Sequence, residues 1–279
     1  MRRFFIAVAS ALCLLPPLVV AQRVLTFDWT VAETLVALGH PPAGVAQISD
    51  YHSWIGAPRL PDATLDLGLR NQPALELMAE LEPDLLLITP MFAHMAEQLR
   101  TIGPVQTLPL YEADKDGWDS ILEMTRRLGT LTQKESTART LIERTDRILT
   151  HIRKQVRGCG PLLVMQLVDE RHVRVYGGNS LYQHVLDRLG IDNAWTGAVN
   201  QWGYRLLGLH ELAGVTGHAL IIQPSPLGTL ERMEQHALWR ALPVFSEHAP
   251  VVLPPIWSMG GLPSAQRFAQ WLAQTGCRP

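Results

Sequence analysis

The chain has 279 residues, of which 47% are hydrophobic and 18% are charged. This length allows two domains of roughly 100 to 150 residues, each with its own core. The 24 Lys and Arg residues nearly balance the 26 Asp and Glu residues, which gives a formal net charge of −2. Because the charge is balanced and no run of five like charges occurs, the composition argues against nucleic acid and against a disordered interaction tail. A small-molecule partner is favoured.

Residues 1–21 have the pattern of a signal peptide. Residues 2–3 are basic, residues 4–15 are apolar, and residues 19–21 are small enough to precede a cleavage site. Two prolines at 16–17 interrupt the apolar stretch, which falls short of the ~20 residues that a membrane span needs. We therefore expect cleavage near Ala21, rather than a retained anchor, and a mature protein outside the cytoplasm.

The cysteines leave one question open. Cys13 follows Leu12, where lipoprotein processing requires a small residue, so we predict no lipid attachment. After cleavage, Cys159 and Cys277 remain, and in an oxidising compartment this pair could form one disulfide. Two unpaired buried thiols agree equally well with the sequence.

Residues 22–116 are predicted to form a first α/β lobe. A strand at 24–27 precedes a helix at 31–38, with Thr30 as its N-cap and Gly39 as its stop. Further along, a glycine-containing turn ends at Arg70 and is followed by an amphipathic helix, a Pro-Asp stop and an apolar strand at 85–88. Alternating strands and helices predict a parallel sheet with both faces covered.

Residues 117–158 are predicted to form a helical spacer. This segment has no proline, and its apolar residues recur at helical spacing among charged ones. We predict a short helix that ends near Gly129 and a long helix over 132–156, which would be ~37 Å long. Such a helix could bridge two lobes, and a stiff bridge would not permit a large closure.

Residues 159–279 are predicted to form a second α/β lobe. Strands are expected at 161–168, 173–176, 219–222 and 251–253, and helices at 181–189, 232–241 and 264–274. Asn179 and Ser180 are expected to cap the first of these helices, and Gly190 to end it. The predicted fold class is α/β, with two lobes built on central, mostly parallel sheets and joined by a single long interlobe helix.

A repeated unit supports the two lobes. A short helix that carries Glu76 precedes the strand at 85–88, and a helix at 209–214 that carries Glu211 precedes the strand at 219–222. Two similar lobes imply a cleft between them. Solvated helix carboxylates remain an alternative role for these two glutamates.

No catalytic motif is present. The chain lacks Gly-x-Ser-x-Gly, His-Glu-x-x-His, a glycine-rich phosphate loop and the cysteine pairs of zinc sites. Its ten histidines are scattered, and none is paired at i, i+4 spacing. An exported metal-dependent hydrolase would require such groups, so we predict a protein that is not an enzyme and has no metal site of its own.

Three tryptophans and one arginine are the candidate ligand contacts. Trp54, Trp202 and Trp257 lie in segments that are predicted to be loops, where an indole often lines the mouth of a pocket. Arg70 follows a turn and offers five donors, which suit anionic oxygen groups. A surface salt bridge is the alternative for Arg70, worth ~0–1 kcal/mol.

The chain resembles the iron-siderophore/vitamin B12 class of substrate-binding proteins, and within it the periplasmic ferric-hydroxamate binders. The resemblance extends over essentially the whole mature chain. It is carried by motifs at 60–62, 66–70, 75–77, 177–181, 190–195, 200–203, 257 and 262–265.

The resemblance implies a ligand and a set of contacts. Arg70 would contact the hydroxamate oxygens around iron, and the three tryptophans would wall the cleft. Phe92 stands where the family has a tyrosine that binds the same oxygens, so about one hydrogen bond, worth ~1 kcal/mol, is missing. Other iron chelates, haem or cobalamin remain alternatives.

The resemblance also implies a transport partner. Glu76 and Glu211 would meet arginines of an inner-membrane ABC permease, to which the periplasmic protein would deliver its ferric siderophore. The protein would act as a monomer. It would need no cofactor, because the siderophore holds the iron.

Overall fold

The computed structural model describes residues 22–111, 116–246 and 248–275. The predicted signal peptide, residues 1–21, lies outside them. Within the described ranges no helix combines the length and the apolar character needed to cross a bilayer.

The first sheet lies between residues 24 and 107 and is entirely parallel. Its strands are β1 Val24–Thr26, β2 Gly44–Val45, β3 Leu65–Asp66, β6 Leu85–Ile88 and β7 Val105–Thr107, in the order β3-β2-β1-β6-β7. A small antiparallel hairpin, β4 Gly68–Leu69 and β5 Gln72–Pro73, projects beside it. The connecting helices are α1 Trp29–Ala37, α2 Ile48–Ile55, α3 Leu75–Glu80, a 3₁₀ helix Pro90–Met95 and α4 Ala96–Leu99.

The second sheet is mixed. Its strands are β8 Leu162–Leu167, β9 His172–Tyr176, β10 Tyr204–Gly208, β11 His218–Ile222 and β12 Val251–Leu253, in the order β10-β9-β8-β11-β12. Strands β8, β11 and β12 are parallel, whereas β9 and β10 are antiparallel to their neighbours. The helices are α7 Leu181–Leu189, a 3₁₀ helix Leu209–Leu212, α8 Thr229–Gln235, α9 Ala237–Ala241, α10 Pro243–Ser246 and α11 Leu262–Thr275.

Two helices separate the sheets in sequence: α5 Gly117–Leu131 and α6 Glu135–Gln155. The long helix begins three residues later than predicted, because Gln133 adopts a left-handed conformation (φ 56°) between the two helices. Its 21 residues span about 31 Å. The division into 22–116, 117–158 and 159–279 stays a prediction.

One apolar core continues from sheet to sheet. It includes Val24 and Leu87 of the first sheet, Trp118 of α5, Val164 of the second sheet and Phe268 of α11, each buried. Separate clusters cover the outer faces of the two sheets. The two lobes are therefore packed on shared apolar surface, and separating them would expose it to water.

The structure corrects several local predictions. Helix α1 is capped by Asp28, not Thr30: its carboxylate accepts hydrogen bonds from the main-chain N–H groups of Thr30 and Val31. The helix predicted at 232–241 is two short helices, because His236 is extended. The segment at 209–214 forms a single 3₁₀ turn. The cap of α7 by Ser180 and its stop at Gly190 are confirmed.

Candidate functional site

Arg70 is positioned by the turn that precedes it. The Asp66 carboxylate accepts hydrogen bonds from the main-chain N–H groups of Gln47, Ile48 and Gly68, which ties the hairpin to the start of α2. Gly68 has φ 82°, a conformation that favours glycine. The Gln47 side chain then accepts from the Arg70 main-chain N–H at 3.1 Å. The turn thus holds Arg70 at the carboxyl ends of the first sheet's strands, where α/β proteins bind ligands.

The Arg70 guanidinium lies among aromatic rings. Its central carbon is 4.4 Å from the ring centroid of Trp29, 5.1 Å from that of Phe92 and 5.8 Å from that of Trp257. Nε donates to the Phe27 carbonyl at 2.9 Å, and Nη2 lies 3.9 Å from the Met91 sulfur. Within residues 22–111, 116–246 and 248–275, Nη1 has no hydrogen-bond partner and Arg70 forms no ion pair. Among the described residues, Arg70 therefore does not form the surface salt bridge that the sequence left as an alternative.

Burial lowers the pKa of Arg70, and the carboxylate of Asp28 acts in the opposite direction. Asp28 is itself engaged by the start of α1 and by the Thr89 hydroxyl, which donates to it at 2.8 Å. Arginine remains charged despite such shifts. The result is a half-buried cation, part of whose N–H donors have no partner in the described part of the chain.

Trp54 and Trp257 extend this aromatic wall. Trp54 lies in α2, so its predicted loop position is wrong, whereas Trp257 lies in the predicted loop after β12. The two rings meet edge to face with centroids 6.2 Å apart, and Trp257 lies 5.1 Å from Trp29. Both indoles are half-buried. We call Trp29, Trp54, Arg70, Phe92 and Trp257 the Arg70 cluster.

The loop that carries Trp257, residues 254–261, is held from both lobes. From the first lobe, the hydroxyls of Thr30 and Tyr111 donate to the carbonyls of Met259 (2.6 Å) and Gly260 (3.0 Å). From the second lobe, the Tyr182 hydroxyl donates to the Ile256 carbonyl at 2.7 Å. This bracing fixes Trp257 against Trp29.

Glu33 of α1 completes the bracing. Its side chain is fully buried and accepts hydrogen bonds from the Gly261 main-chain N–H at 2.6 Å and from the Ser264 hydroxyl at 2.7 Å. Burial raises the pKa of Glu33 to about 7, while the Arg267 guanidinium and these hydrogen bonds act to lower it. A carboxyl group of the first lobe therefore contacts the start of α11 in the second.

A second group of side chains lies at β9 and β10. Trp202, in the predicted loop before β10, stacks on Tyr204 with centroids 6.4 Å apart and an interplanar angle of 16°. The Arg174 guanidinium lies 4.7 Å from the centroid of the Tyr204 ring. We call Trp202, Tyr204 and Arg174 the Arg174 cluster. The structure thus does not place Trp202 in contact with the Arg70 cluster.

Sequence reasoning missed Trp29, Tyr204 and Arg174. The signal for Arg174 was the alternation of 173–176, in which two buried valines point one way and Arg174 and Tyr176 the other. Sequence reasoning did not identify Trp29 because the predicted helix begins at residue 31, two residues after the observed start of α1.

The two predicted docking glutamates are both exposed. Glu76 lies in the first turn of α3. Glu211 lies in the 3₁₀ helix, where it accepts from the Gly208 main-chain N–H at 2.9 Å and pairs with Arg205 at 3.6 Å. Their role in docking stays a prediction.

Cys159 is disulfide-bonded. Cys277 lies outside the described residues, so the pairing of these two cysteines stays a prediction. Among the residues that the structure describes, no three His, Cys, Asp or Glu side chains converge on a possible metal site.

Two α/β lobes packed on a helical spacer, with an aromatic and cationic wall at the strand ends, define a binding protein of the periplasmic type. A family model described as "Periplasmic binding protein" matches residues 24–255, and the chain belongs to this family.

Individual relatives agree. The chain is 30% identical to the iron(3+)-hydroxamate-binding protein FhuD of Escherichia coli K12 over 258 residues. The aligned region covers 90% of this chain and 86% of that protein. The structure of the siderophore-binding protein FhuD from Vibrio cholerae with bound Fe3+-Desferal matches with a TM-score of 0.86 at 26% identity, over 93% of this chain and 99% of that one. FeuA of Bacillus subtilis, at 17% identity and a TM-score of 0.73 over 92% of each chain, shares the fold.

Proposed function

We propose that this chain is a periplasmic receptor that binds an iron(III)-hydroxamate siderophore and delivers it to an inner-membrane ABC importer. The observation that carries the proposal is Arg70, a half-buried cation without an ion pair among the described residues, set within an aromatic wall. Two relatives support the ligand class: FhuD of Escherichia coli is an iron(3+)-hydroxamate-binding protein, and FhuD of Vibrio cholerae has a solved structure with bound Fe3+-Desferal.

The chemistry of such a ligand fits these side chains. A ferric hydroxamate presents coordinated oxygens that carry negative charge, inside an organic shell. The free Arg70 donors would bind the oxygens, and Trp54 and Trp257 would cover the shell. Because the chelator fills the coordination sphere of iron, the protein need supply no metal ligand and no catalytic group.

The setting follows from the same proposal. The signal peptide would direct the chain to the periplasm, where it would act as a monomer and present Glu76 and Glu211 to arginines of the permease. Because the two lobes share one apolar core, we expect them to close only slightly when a ligand binds.

Tryptophan fluorescence tests the proposal directly. A cognate ferric hydroxamate should quench the emission of the purified mature chain saturably, and the iron-free chelator should quench it less. Trp257→Phe should reduce the amplitude, whereas Trp239→Phe, a buried tryptophan of α9, should leave the fractional quenching of the remaining emission unchanged or higher.

The same titration with haem, cobalamin and ferric catecholates separates the alternatives. If one of these saturates the signal at low concentration and every ferric hydroxamate fails, the proposed ligand class is wrong.

A further inference from the structure

A second cavity, with a volume of about 530 Å³, lies among helices α5, α6 and α7 and shares no residue with the Arg70 cluster. The start of α7 lies beside the loop of residues 254–261, because the Leu181 main-chain N–H donates to the Ser258 carbonyl at 3.2 Å. The cavity instead contacts the last turn of α7, about 10 Å further along the helix axis. It is therefore separate from the proposed siderophore site, and its volume is within the ~300–1,000 Å³ of small-molecule pockets.

The floor of this cavity is apolar. Trp118 and Leu122 of α5 line it together with Ile142 and Leu149 of α6. Trp118 and Leu149 are buried, with 6% and 4% exposure. A spacing of one or two helical turns places the two residues of each helix on the same face. The floor could thus cover an apolar group of a ligand.

The rim of the cavity carries two acids and two arginines. Asp146 and Arg153 lie on α6, and Asp187 and Arg188 lie on α7. Although these four side chains line one cavity, none of them forms an ion pair in the described part of the chain. Opposite charges that are held apart around an apolar floor suit a ligand that carries both charges, because such a ligand can bridge them.

Arg188 is oriented for a carboxylate. Its guanidinium carbon lies 4.0 Å from the centroid of the Trp118 ring, and Nη1 donates to the His184 carbonyl at 3.1 Å. The other guanidinium donors have no hydrogen-bond partner among the described residues. Stacking on the indole fixes the plane of the guanidinium, which favours bidentate binding of a carboxylate.

Asp146 is available for an ammonium group. Its carboxylate is exposed and makes no hydrogen bond or ion pair within residues 22–111, 116–246 and 248–275. Asp187, by contrast, accepts a hydrogen bond from the Gln183 side-chain amide at 2.7 Å. An ammonium group would therefore meet less competition at Asp146 than at Asp187.

We propose that this cavity binds a free α-amino acid with a large apolar side chain. Its carboxylate lies on Arg188, its ammonium group on Asp146 and its side chain on the floor beside Trp118. A simple anion or cation would leave one of the two charged partners unused. Because its contacts come from both α6 and α7, the amino acid would also hold the helical spacer against the second lobe. This inference goes beyond the proposed siderophore-binding function and does not depend on it.

A series of small molecules tests which ligand groups are recognised. L-Phenylalanine has both charges and an apolar side chain, whereas 3-phenylpropionate lacks the ammonium group, phenethylamine lacks the carboxylate and glycine lacks the side chain. Each is titrated into the isotopically labelled mature chain, and the NMR signal of the Trp118 indole N–H is followed. Trp118→Phe identifies this signal by its disappearance. L-Phenylalanine should bind about ten- to a hundredfold more tightly than each of the other molecules.

Variants assign the charged contacts. Asp146→Asn should weaken L-phenylalanine by about tenfold and leave 3-phenylpropionate, which has no ammonium group, unchanged. Glu143→Gln is the matched control and should behave as wild type, because Glu143 is an exposed acid three residues earlier on α6 that does not line the cavity. Arg188→Gln should weaken L-phenylalanine and 3-phenylpropionate but not phenethylamine.

Phenethylamine tests the main rival, a site for simple cations, because the carboxylates of Asp116 and Asp119 also act on Arg188. If phenethylamine or 3-phenylpropionate binds as tightly as L-phenylalanine, the inference is overturned. It is equally overturned if Asp146→Asn matches Glu143→Gln, or if L-phenylalanine at its solubility limit shifts no indole signal or only those of Trp54 and Trp257. Thermal unfolding shows whether each variant is folded, and the ligand series on wild type decides the question if Arg188→Gln is not.

Discussion

Arg70 uses only part of its donor set within the described protein. Nε is committed to the Phe27 carbonyl, and the aromatic rings around it hold the guanidinium by cation–π contacts of about 0.5 to 2 kcal/mol each. The remaining donors are oriented before a ligand arrives, which lowers the entropy lost on binding.

Replacing Arg70 should therefore affect binding more than folding. Arg70→Ala should weaken a ferric hydroxamate by ~1.5–3 kcal/mol, the range for hydrogen bonds to a charged group. The free energy of unfolding should change less, because removing the guanidinium also removes its desolvation cost, which offsets the lost cation–π contacts and hydrogen bond. Calorimetric titration and denaturant unfolding measure the two quantities. Arg100→Ala, an exposed arginine after α4, is the control. Equal affinities for the two variants would remove Arg70 from the site.

Phe92 packs beside the Arg70 guanidinium, where the proposed ligand oxygens would bind. Its ring is buried, with 4% exposure, and packs at 6.2 Å on Phe27 and at 5.1 Å from the Arg70 guanidinium. A hydroxyl added at the ring tip would have to find a polar partner, and in a filled cleft that partner is a ligand oxygen.

Phe92→Tyr should accordingly leave hydroxamate affinity equal or raise it by up to about tenfold, since one neutral hydrogen bond contributes ~0.5–1.5 kcal/mol. The gain in affinity should appear as a larger rise in melting temperature when the ferric hydroxamate is added. This increase should be smaller with the iron-free chelator. A tenfold loss of affinity in a folded variant would mean that the tyrosine hydroxyl cannot reach the ligand.

At the scale of elements, the join between α1 and α11 contains a titrating group. Glu33 faces Gly261, Ser264 and Arg267 of the second lobe, with Asp28, Tyr51 and Tyr111 as its other charged or titratable neighbours. Burial raises its pKa from the usual 4.5 to about 7. The folded chain therefore holds a proton that the unfolded chain releases between these two values.

The sign of the effect follows from linkage. The contribution of Glu33 is fully present below about pH 4.5 and is lost as pH rises to about 7; a shift of this size corresponds to about 3 kcal/mol. Glu33→Gln should abolish that decline, because the amide can accept from Gly261 and donate to Ser264 without titrating.

The measurement is the difference between the unfolding free energies of wild type and Glu33→Gln from pH 4 to pH 8. Taking the difference cancels the contributions of Asp116 and Asp169 to the free energy of unfolding. The pKa values of these two groups are lowered, so their contributions are lost as pH falls. A difference that is constant over this range would show that Glu33 remains ionised throughout.

The elements also show what the sequence could and could not predict. Strand β8 and helix α7 were predictable, because an apolar run interrupted only by Gln166 and the pair Ser180 and Gly190 are local signals. The start of α1 was not, because Asp28 and Thr30 are both good caps. The choice between them is made by the Thr89 hydroxyl, 61 residues away in sequence.

The site divides in the same way. Arg70 stood out because its turn is encoded nearby, in Asp66 and Gly68. Glu33 did not, because its partners lie 228 and 231 residues further along the chain. Arg174 looked like an ordinary strand arginine, and only packing reveals that its Nε has no partner among the described residues.

At the scale of the molecule, the transport proposal depends on Glu76 and Glu211 acting together. Each lies in a short helical turn at the start of a unit that leads into a parallel strand, β6 or β11, and the shared core fixes these units relative to each other. A permease could thus recognise a constant spacing of two carboxylates. Glu211 is partly engaged by Arg205, an exposed pair worth ~0–1 kcal/mol, which an importer arginine could displace.

Reversing both charges should stop uptake without preventing binding. Glu76→Lys with Glu211→Lys should leave ferric hydroxamate affinity within about twofold, because neither residue belongs to the Arg70 or Arg174 clusters, and should abolish siderophore-dependent growth, since like charges across an interface cost several kcal/mol. Each single reversal should give a partial defect. Glu123→Lys with Glu143→Lys, exposed on α5 and α6, makes the same change in net charge and should support normal growth. Normal growth with the Glu76 and Glu211 reversals would make these glutamates ordinary solvated residues, whereas lost affinity would place them in the cleft.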